Sequence, residues 1–194
     1  MNSIVEARNI GKNFVLGEFS IIRECVAIGD DTEIREFCIV GCLPITFSEK
    51  ELFVEQKRLV PTGKVVIGNR VFINSHCDIV RALKDTTIIE DNVIIGQCVI
   101  IGHESHVHKN VKIMNSVILN GYATIKEGTF IGPGAIVRNR ITIGKNCLIG
   151  QGSNVVKDIP DNVIAYGNPC VVQGSSSLVN LAARKIRREV KKVI

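Results

Sequence analysis

The sequence predicts an all-β solenoid in which short parallel strands wind around an aliphatic core, with one extruded loop and a short C-terminal α-helix. Two observations support this prediction. Branched aliphatic residues recur with a period of six over most of the chain. The core must also consist of Ile, Val and Leu, because the 194 residues include no Trp, 2 Tyr and 7 Phe, and β-branched residues favour strands.

The period of six is strictest in the second half of the chain. From Ile89 onward every sixth residue is a branched aliphatic, and the residue four places after each is usually small or β-branched. The same frame occurs earlier, from Ile4 to Val40 and from Ile67 to Ile79. The aliphatic positions of the long run are Ile89, Ile95, Ile101, Val107, Ile113, Leu119, Ile125, Ile131, Val137, Ile143, Ile149 and Val155.

A six-residue period fits neither an α-helix nor a plain alternating strand. It fits a short strand followed by a corner. If each aliphatic residue and the residue two places before it point inward, the residue between them points outward, as strand alternation requires. Three such sides close a coil of eighteen residues, and stacked coils pair as parallel sheets around a shared core.

Two interruptions and a C-terminal extension complete the layout. Residues 42–64 break the frame with two prolines and seven charges and are expected to form a loop that leaves the solenoid. A slip of four residues at 85–88 precedes the long run. We expect residues 1–170 to form the solenoid domain. Residues 171–194 are expected to form an extension with a basic helix over 178–193, for which Ser175–Ser177 are candidate caps.

The charge distribution limits the range of partners. The net charge is +5, and the segment from Arg184 to Lys192 carries +5 by itself, so the body is neutral. A body-wide surface for nucleic acid is therefore not expected. The tail is expected to be the solvated face of a capping helix. The alternatives are recruitment of an acidic partner, such as an acyl carrier protein, or of an anionic membrane face.

Location is predicted from what the sequence lacks. It contains no apolar run long enough for a membrane span and no basic segment followed by an apolar one, as a signal peptide would have. The seven cysteines are odd in number and form no CxxC pair. They are expected to be reduced, mostly structural thiols in a cytoplasm.

The positions of the histidines indicate a candidate catalytic site. All four lie between residues 76 and 108. The frame places His103 on a corner beside Glu104, with Gly121 eighteen residues later and therefore directly above it. An imidazole accepts a proton near neutral pH, and an adjacent carboxylate raises its basicity and fixes its orientation. His103 is therefore a candidate general base and Glu104 its partner.

The repeat resembles the hexapeptide repeat of the left-handed parallel β-helix family over about 130 residues. The left hand is implied by this resemblance, since the usual crossover rule predicts a right hand. The segment IGHES, residues 101–105, resembles the His-Glu pair of nucleotide-sugar N-acetyltransferases of the bacillosamine and sialic-acid type. This resemblance implies that His103 accepts the proton and that Glu104 supports it. It also implies that Gly121, Pro133 and Gln151 lie at acetyl-CoA contacts.

These observations predict transfer of an acetyl group from acetyl-CoA to an amine or hydroxyl of a sugar or nucleotide-linked sugar, with no metal. Glycine corners at Gly132 and Gly150 are expected to leave room for the pantetheine arm, and Arg138 and Lys157 are available for the CoA phosphates. The resemblance also implies a homotrimer with active sites between neighbouring solenoids. A lone corner histidine on a convex prism has no pocket of its own.

Three alternatives stay open. The chain layout also resembles UDP-N-acetylglucosamine O-acyltransferase, which takes its acyl group from a carrier protein, although Val80 stands where that resemblance places the catalytic histidine. His103 and His108 have the H-x4-H spacing of γ-type carbonic anhydrases, but Val80 and Arg81, near the third ligand position, cannot bind zinc. The third alternative is a solenoid used only for assembly.

Overall fold

The computed structural model describes residues 2–44 and 60–177. The chain winds into three-sided coils, and each side of a coil contains one short strand. The first coils contain β1 (Ile4–Val5), β2 (Asn9–Ile10), β3 (Val15–Leu16), β4 (Ile21–Ile22), β5 (Val26–Ile28), β6 (Glu33–Ile34), β7 (Ile39–Cys42) and β8 (Lys64–Ile67). The middle coils contain β9 (Phe72–Ile73), β10 (Asp78–Val80), β11 (Thr86–Ile89), β12 (Ile94–Ile95), β13 (Ile100–Ile101), β14 (His106–Val107), β15 (Lys112–Ile113) and β16 (Ile118–Leu119). The last coils contain β17 (Thr124–Ile125), β18 (Phe130–Ile131), β19 (Ile136–Val137), β20 (Thr142–Ile143), β21 (Leu148–Ile149), β22 (Asn154–Val155), β23 (Val163–Tyr166) and β24 (Val171–Ser175).

These strands form three sheets, one for each side of the prism. Face A has the strand order β1-β4-β7-β10-β13-β16-β19-β22, face B has β2-β5-β8-β11-β14-β17-β20, and face C has β24-β23-β21-β18-β15-β12-β9-β6-β3. From β1 to β22, strands three apart in chain order therefore pair in parallel, as Ile101 in β13 does with Leu119 in β16. The predicted fold class, a left-handed parallel β-helix, is confirmed.

The core follows the predicted frame. All twelve aliphatic residues of the long run are fully buried, and their partners from Val93 to Ile159 are at most 9% exposed. The few inward hydroxyls are bonded to backbone carbonyls, as when Thr129 donates to Gly144 O at 2.7 Å. Ile4 departs from the predicted frame: it pairs with the outward Ile21 and is 51% exposed, whereas Val5 pairs with the buried Ile22 and is 47% exposed because no described coil lies below it.

Each corner is named here by the two faces that it joins along the chain: AB, BC or CA. Most corners carry one residue in the left-handed region, such as Asn92 with φ 59° or Gly128 with φ 71°. This conformation reverses the chain direction within a few residues, and Asn, Asp and Gly adopt it at the lowest cost.

One coil is four residues longer than the regular eighteen, and these four residues lie at a different position from the one predicted. The expected slip at residues 85–88 is wrong, because Thr86–Ile89 form β11 and pair residue for residue with Lys64–Ile67. Thr87 and Ile89 alternate inward there, so this strand keeps the frame. The four additional residues instead lie within residues 81–85, at corner AB between β10 and β11.

The two predicted appendages are only partly described. The loop leaves face A after Cys42 and returns to face B at Lys64, so it emerges at corner AB, and its residues 45–59 lie outside the described residues. At the other end, β24 pairs antiparallel with β23 at the edge of face C, a hairpin that the period of six does not predict. The expected helix over 178–193 and its basic tail also lie outside the described residues. Within the described residues, no helix is long and apolar enough to cross a membrane.

Candidate active site

Corner AB of one coil places His103 between two short strands. β13 ends at Ile101 and β14 begins at His106, so the intervening residues make the turn. Glu104 takes the left-handed conformation with φ 53°. Ser105 turns inward and donates to Asn120 O at 3.3 Å. The turn therefore leaves the His103 and Glu104 side chains on the outer surface of the corner, and 23% of the His103 side chain is exposed.

The Glu104 carboxylate is held by the backbone of the coil below. One oxygen, Oε1, accepts the Leu83 N–H at 2.6 Å and the Lys84 N–H at 3.0 Å. The other oxygen, Oε2, lies 2.5 Å from Nδ1 of His103. The Glu104 N–H also donates to the Thr87 hydroxyl at 2.9 Å. The inserted residues 81–85 thus supply the amides that orient this carboxylate, which sequence reasoning missed. The four-residue insertion itself was the available signal.

Two opposing effects set the charge state of Glu104. Burial is the largest single influence and raises the pKa of its carboxyl. Hydrogen bonds from Lys84, His103 and Leu83, together with the charge of His103, outweigh that effect and leave the pKa below its ordinary value. The side chain is therefore a carboxylate at neutral pH and accepts hydrogen bonds without donating one.

This carboxylate also determines the tautomer of His103. Because Glu104 Oε2 only accepts, Nδ1 of His103 carries the proton in the bond between them. In the neutral imidazole the lone pair is then on Nε2. Nε2 is consequently the atom that can take a proton from a substrate, as the predicted general-base role requires.

Gly121 lies directly above the imidazole, as the eighteen-residue stacking predicted. A Cβ at this position would lie 2.6 Å from Nε2 and 2.7 Å from Cε1 of His103, so any side chain here would displace the imidazole. The Gly121 N–H has no hydrogen-bond acceptor among residues 2–44 and 60–177. At corner BC, by contrast, the Asn69 and Lys145 amides are bonded to aspartates, at 2.7 and 2.8 Å.

Two further side chains adjoin His103 that sequence reasoning did not select. The Tyr122 ring meets the imidazole edge to face, with ring centroids 5.2 Å apart. The Arg140 guanidinium lies 4.3 Å from the centroid of Tyr122. Glu104, Tyr122 and Arg140 are spaced eighteen residues apart, so they stack on successive coils. The stacking rule that located Gly121 could therefore have found Tyr122 and Arg140 as well.

The predicted acetyl-CoA contacts divide between two corners. Gly121, Arg138 and Lys157 all lie at corner AB, on successive coils above His103. Gly132, Pro133, Gly150 and Gln151 lie at corner CA, across face A from them. Packing of the coils by itself requires two of these glycines. A Cβ on Gly132 would lie 2.7 Å from Gln151 N, and one on Gly150 would lie 2.6 Å from the Tyr166 Cβ.

The other histidines are not brought to His103. His106 projects from face B and His108 begins corner BC, where both contact Glu90. The pairing of His103 with His108 that a γ-type carbonic anhydrase suggested is therefore absent within the described chain, because the two residues occupy different corners. His76 lies at corner CA and stacks on Phe37, with centroids 4.9 Å apart.

Face A, between the two corners, carries a column of outward isoleucines. Strand pairing aligns one outward residue from each coil, and the exposed fraction reaches 51% at Ile4, 39% at Ile100 and 42% at Ile136. From the first coil to the last the column consists of Ile4, Ile21, Ile39, Asp78, Ile100, Ile118, Ile136 and Asn154. An apolar strip of this kind on a protein surface is typical of an interaction site.

Known proteins share both the repeat and the fold. The family described as "Bacterial transferase hexapeptide (six repeats)" matches residues 122–157. The galactoside O-acetyltransferase of Lactococcus lactis is 38% identical over 113 residues, which are 57% of this chain and 53% of that protein. The acyl-[acyl-carrier-protein]–UDP-N-acetylglucosamine O-acyltransferase of Burkholderia orbicola is 32% identical over 151 residues, 76% of this chain and 54% of that protein. The chain thus spans about half the length of these relatives.

Two solved structures illustrate the likeness of fold. The UDP-N-acetylglucosamine acyltransferase of Campylobacter jejuni superposes with a TM-score of 0.76 at 22% identity, covering 99% of this chain and 80% of that one. A putative acetyltransferase of Bacillus cereus superposes with a TM-score of 0.58 at 22% identity, covering 97% of this chain and 93% of that one. At this level of identity the comparison establishes the fold.

Proposed function

We propose that this chain is an acyltransferase of the hexapeptide-repeat family that moves an acetyl group from acetyl-CoA to a hydroxyl or amine of a sugar or nucleotide-linked sugar. The family match at residues 122–157 and the similarity to a galactoside O-acetyltransferase support the proposal. The observation that carries the proposal is the His103–Glu104 pair, with Nδ1 on the anchored carboxylate and Nε2 next to Gly121. This arrangement serves a reaction in which a weak nucleophile must lose a proton as it attacks.

Three residues at corner AB have separate roles in the proposed reaction. His103 Nε2 takes the proton of the acceptor O–H or N–H while that oxygen or nitrogen bonds to the thioester carbonyl carbon. The Gly121 N–H, which has no acceptor among the described residues, donates to the oxyanion that develops on the carbonyl oxygen. When the C–S bond breaks, the imidazolium returns its proton to the departing thiolate. Glu104 stabilises the imidazolium between these steps.

The acceptor and donor classes follow from two relatives. The galactoside O-acetyltransferase supports a sugar acceptor and an acetyl donor. Arg138 and Lys157, exposed at the corner of His103, are proposed to hold the CoA phosphates. The second relative supports an acyl-loaded acyl carrier protein as the alternative donor and UDP-N-acetylglucosamine as the alternative acceptor. Parallel assays with acetyl-CoA and with an acyl-loaded carrier protein decide between the two donors.

A homotrimer would give the site a second wall. His103 lies on a convex corner, whereas small-molecule sites are concave and enclose most of the ligand. The isoleucine column on face A is the surface that a second copy is proposed to cover, since it adjoins corner AB along its whole length. In such an assembly, corner CA of one protomer, with Pro133 and Gln151, is proposed to face corner AB of the next.

The test is His103→Ala in an assay of thiol release from acetyl-CoA with a panel of sugars and nucleotide amino sugars. Loss of a positioned base is expected to lower kcat by about 10²–10⁴-fold, and Glu104→Gln is expected to lower it less because the imidazole stays. His106→Ala removes a histidine that projects from face B, away from corner AB and from face A, and serves as the control. A His103→Ala protein that keeps more than about a tenth of the wild-type rate contradicts the assignment.

A further inference from the structure

A second cluster of chemically active side chains lies away from His103, on face B and corner BC. His106 and His108 flank the inward residue Val107 at the end of β14, so both side chains point outward. Glu90 follows β11 in the coil below, and the pairing of Ile89 with Val107 places Glu90 directly beneath His108. Two imidazoles from one coil and a carboxylate from its neighbour therefore meet at one point.

The three side chains converge on a single oxygen atom. Glu90 Oε1 lies 2.7 Å from His106 Nε2 and 3.0 Å from His108 Nδ1. The two rings are nearly parallel, with centroids 3.9 Å apart and an interplanar angle of 22°. The other carboxylate oxygen, Oε2, accepts the Lys109 N–H at 3.0 Å, which fixes the orientation of the carboxylate. About a third of each side chain is exposed, so the cluster is open to solvent.

We propose that Glu90, His106 and His108 bind a divalent transition-metal ion of the zinc, nickel or cobalt class. Two imidazoles and a carboxylate suit these ions better than magnesium or calcium, which prefer oxygen ligands throughout. One donor atom from each residue lies within 4.8 Å of the others. With metal–ligand bonds of about 2.0–2.1 Å, adjacent donors are about 2.9 Å apart in an octahedral site and about 3.3 Å apart in a tetrahedral one. The distances of 2.7 and 3.0 Å from the carboxylate oxygen match the octahedral spacing, and a tetrahedral zinc ion would require the side chains to separate by about half an ångström.

The rest of the cluster fits such an ion. The nitrogens that contact Glu90 would offer their lone pairs to the metal, and each ring would keep its proton on its other nitrogen. The Lys109 amide would continue to hold the carboxylate, as partners of metal ligands commonly do. The remaining coordination positions face solvent. A neighbouring cavity of about 360 Å³ is lined by Glu90, His108, Lys109, Lys126, Glu127 and Lys145. Lys109 is paired with Glu127 at 3.7 Å, and the charges of Lys126 and Lys145 favour water or an anionic oxygen as the completing ligand.

The site is independent of the proposed acetyl transfer. His103 contacts Glu104 and Tyr122 at corner AB, whereas this cluster joins two coils at the far side of face B. A bound ion would brace those coils against each other, so it is expected to raise the melting temperature as its concentration exceeds the Kd.

The experiment uses the full chain in a Cys98→Ser background, because Cys98 is an exposed free thiol that itself can bind metal. After treatment with EDTA, the protein is titrated with Zn²⁺, Ni²⁺ or Co²⁺, and bound metal is measured by equilibrium dialysis and elemental analysis. The expected result is one ion per chain and a rise in melting temperature. The absorption of bound Co²⁺ reports the coordination number, and nitrogen and oxygen ligation gives no thiolate charge-transfer band.

Three variants and one control decide the assignment. Glu90→Gln, His106→Ala and His108→Ala are each expected to weaken binding by at least about tenfold, while His76→Ala, which removes a histidine at another corner, leaves it unchanged. Glu90→Gln keeps the size of the side chain, so it remains informative if an alanine variant does not fold. Failure to bind any of the three ions at micromolar concentration overturns the proposal. So does binding that survives Glu90→Gln or that is lost in His76→Ala.

Discussion

Replacing Gly121 by alanine tests whether the position of the His103 imidazole matters. The added Cβ would lie 2.6 Å from Nε2, whereas ordinary contact begins at 3.4 Å, so the ring must retreat by about 0.8 Å. It cannot move by this amount and keep its present hydrogen bond to Glu104, because the Leu83 and Lys84 amides hold that carboxylate in place. A displacement of about 1 Å at a reacting group typically costs about 10²-fold in rate. We therefore expect Gly121→Ala to lower kcat by about that factor.

The fold should tolerate the same change. The atoms in the way belong to the end of a side chain, and φ of Gly121 lies outside the left-handed region, so alanine is not strained there. Alanine gains about 0.4–1 kcal/mol over glycine by restricting the unfolded chain. A weakened hydrogen bond to a charged group costs about 1.5–3 kcal/mol. The net loss is at most about 2–3 kcal/mol, which lowers Tm by about 4–12 °C for a chain of this size.

The assay compares kcat for thiol release and Tm for three proteins. Gly174→Ala is the matched control, because a Cβ there meets no atom within 4 Å. Gly102→Ala should, in contrast, destabilise the fold strongly. Its Cβ would lie 2.5 Å from the backbone nitrogen of Gly121, which cannot move aside as a side chain can. If Gly121→Ala turned over at more than half the wild-type rate, the proposal that His103 acts from this position would be wrong.

Three further predictions follow from the same geometry. Ile131→Asp places an unpaired charge at a fully buried position, which costs several kcal/mol, so the variant should unfold or aggregate. An unchanged melting temperature would refute the assignment of inward positions by the six-residue period. Because folding lowers the Glu104 pKa, its ionised form adds stability that is complete above the ordinary value of 4.5 and is lost as the pH falls through the lower folded value. The difference in unfolding free energy between wild type and Glu104→Gln should accordingly shrink below pH 4.5 in urea titrations, and a constant difference would contradict the ionised pair. Ile136→Lys, on the exposed isoleucine column, should convert the proposed trimer to monomers in light scattering, whereas a wild type that is already monomeric at micromolar concentration argues against a site between protomers.

The sequence alone determined the architecture because one rule repeats. A solenoid coil contacts only its neighbours, so each inward position is defined by local alternation, and register follows from the repeat length. The burial of Ile131 and the placement of Gly121 above His103 both follow from counting in steps of six and eighteen. The hairpin of β23 and β24 was not predictable in this way, because it forms where the repeat has ended.

Only the tertiary structure decided which polar groups meet, because that depends on departures from the repeat. The four extra residues of one coil were visible as a break in period, but their position could not be read from spacing. Folding places them at corner AB, where the Leu83 and Lys84 amides hold Glu104 and so set the tautomer of His103. The stacking rule does place Glu90 beneath His108, eighteen residues away. That His106 reaches the same carboxylate oxygen is decided only in the folded coils, because it depends on side-chain orientation, which spacing along the chain does not encode.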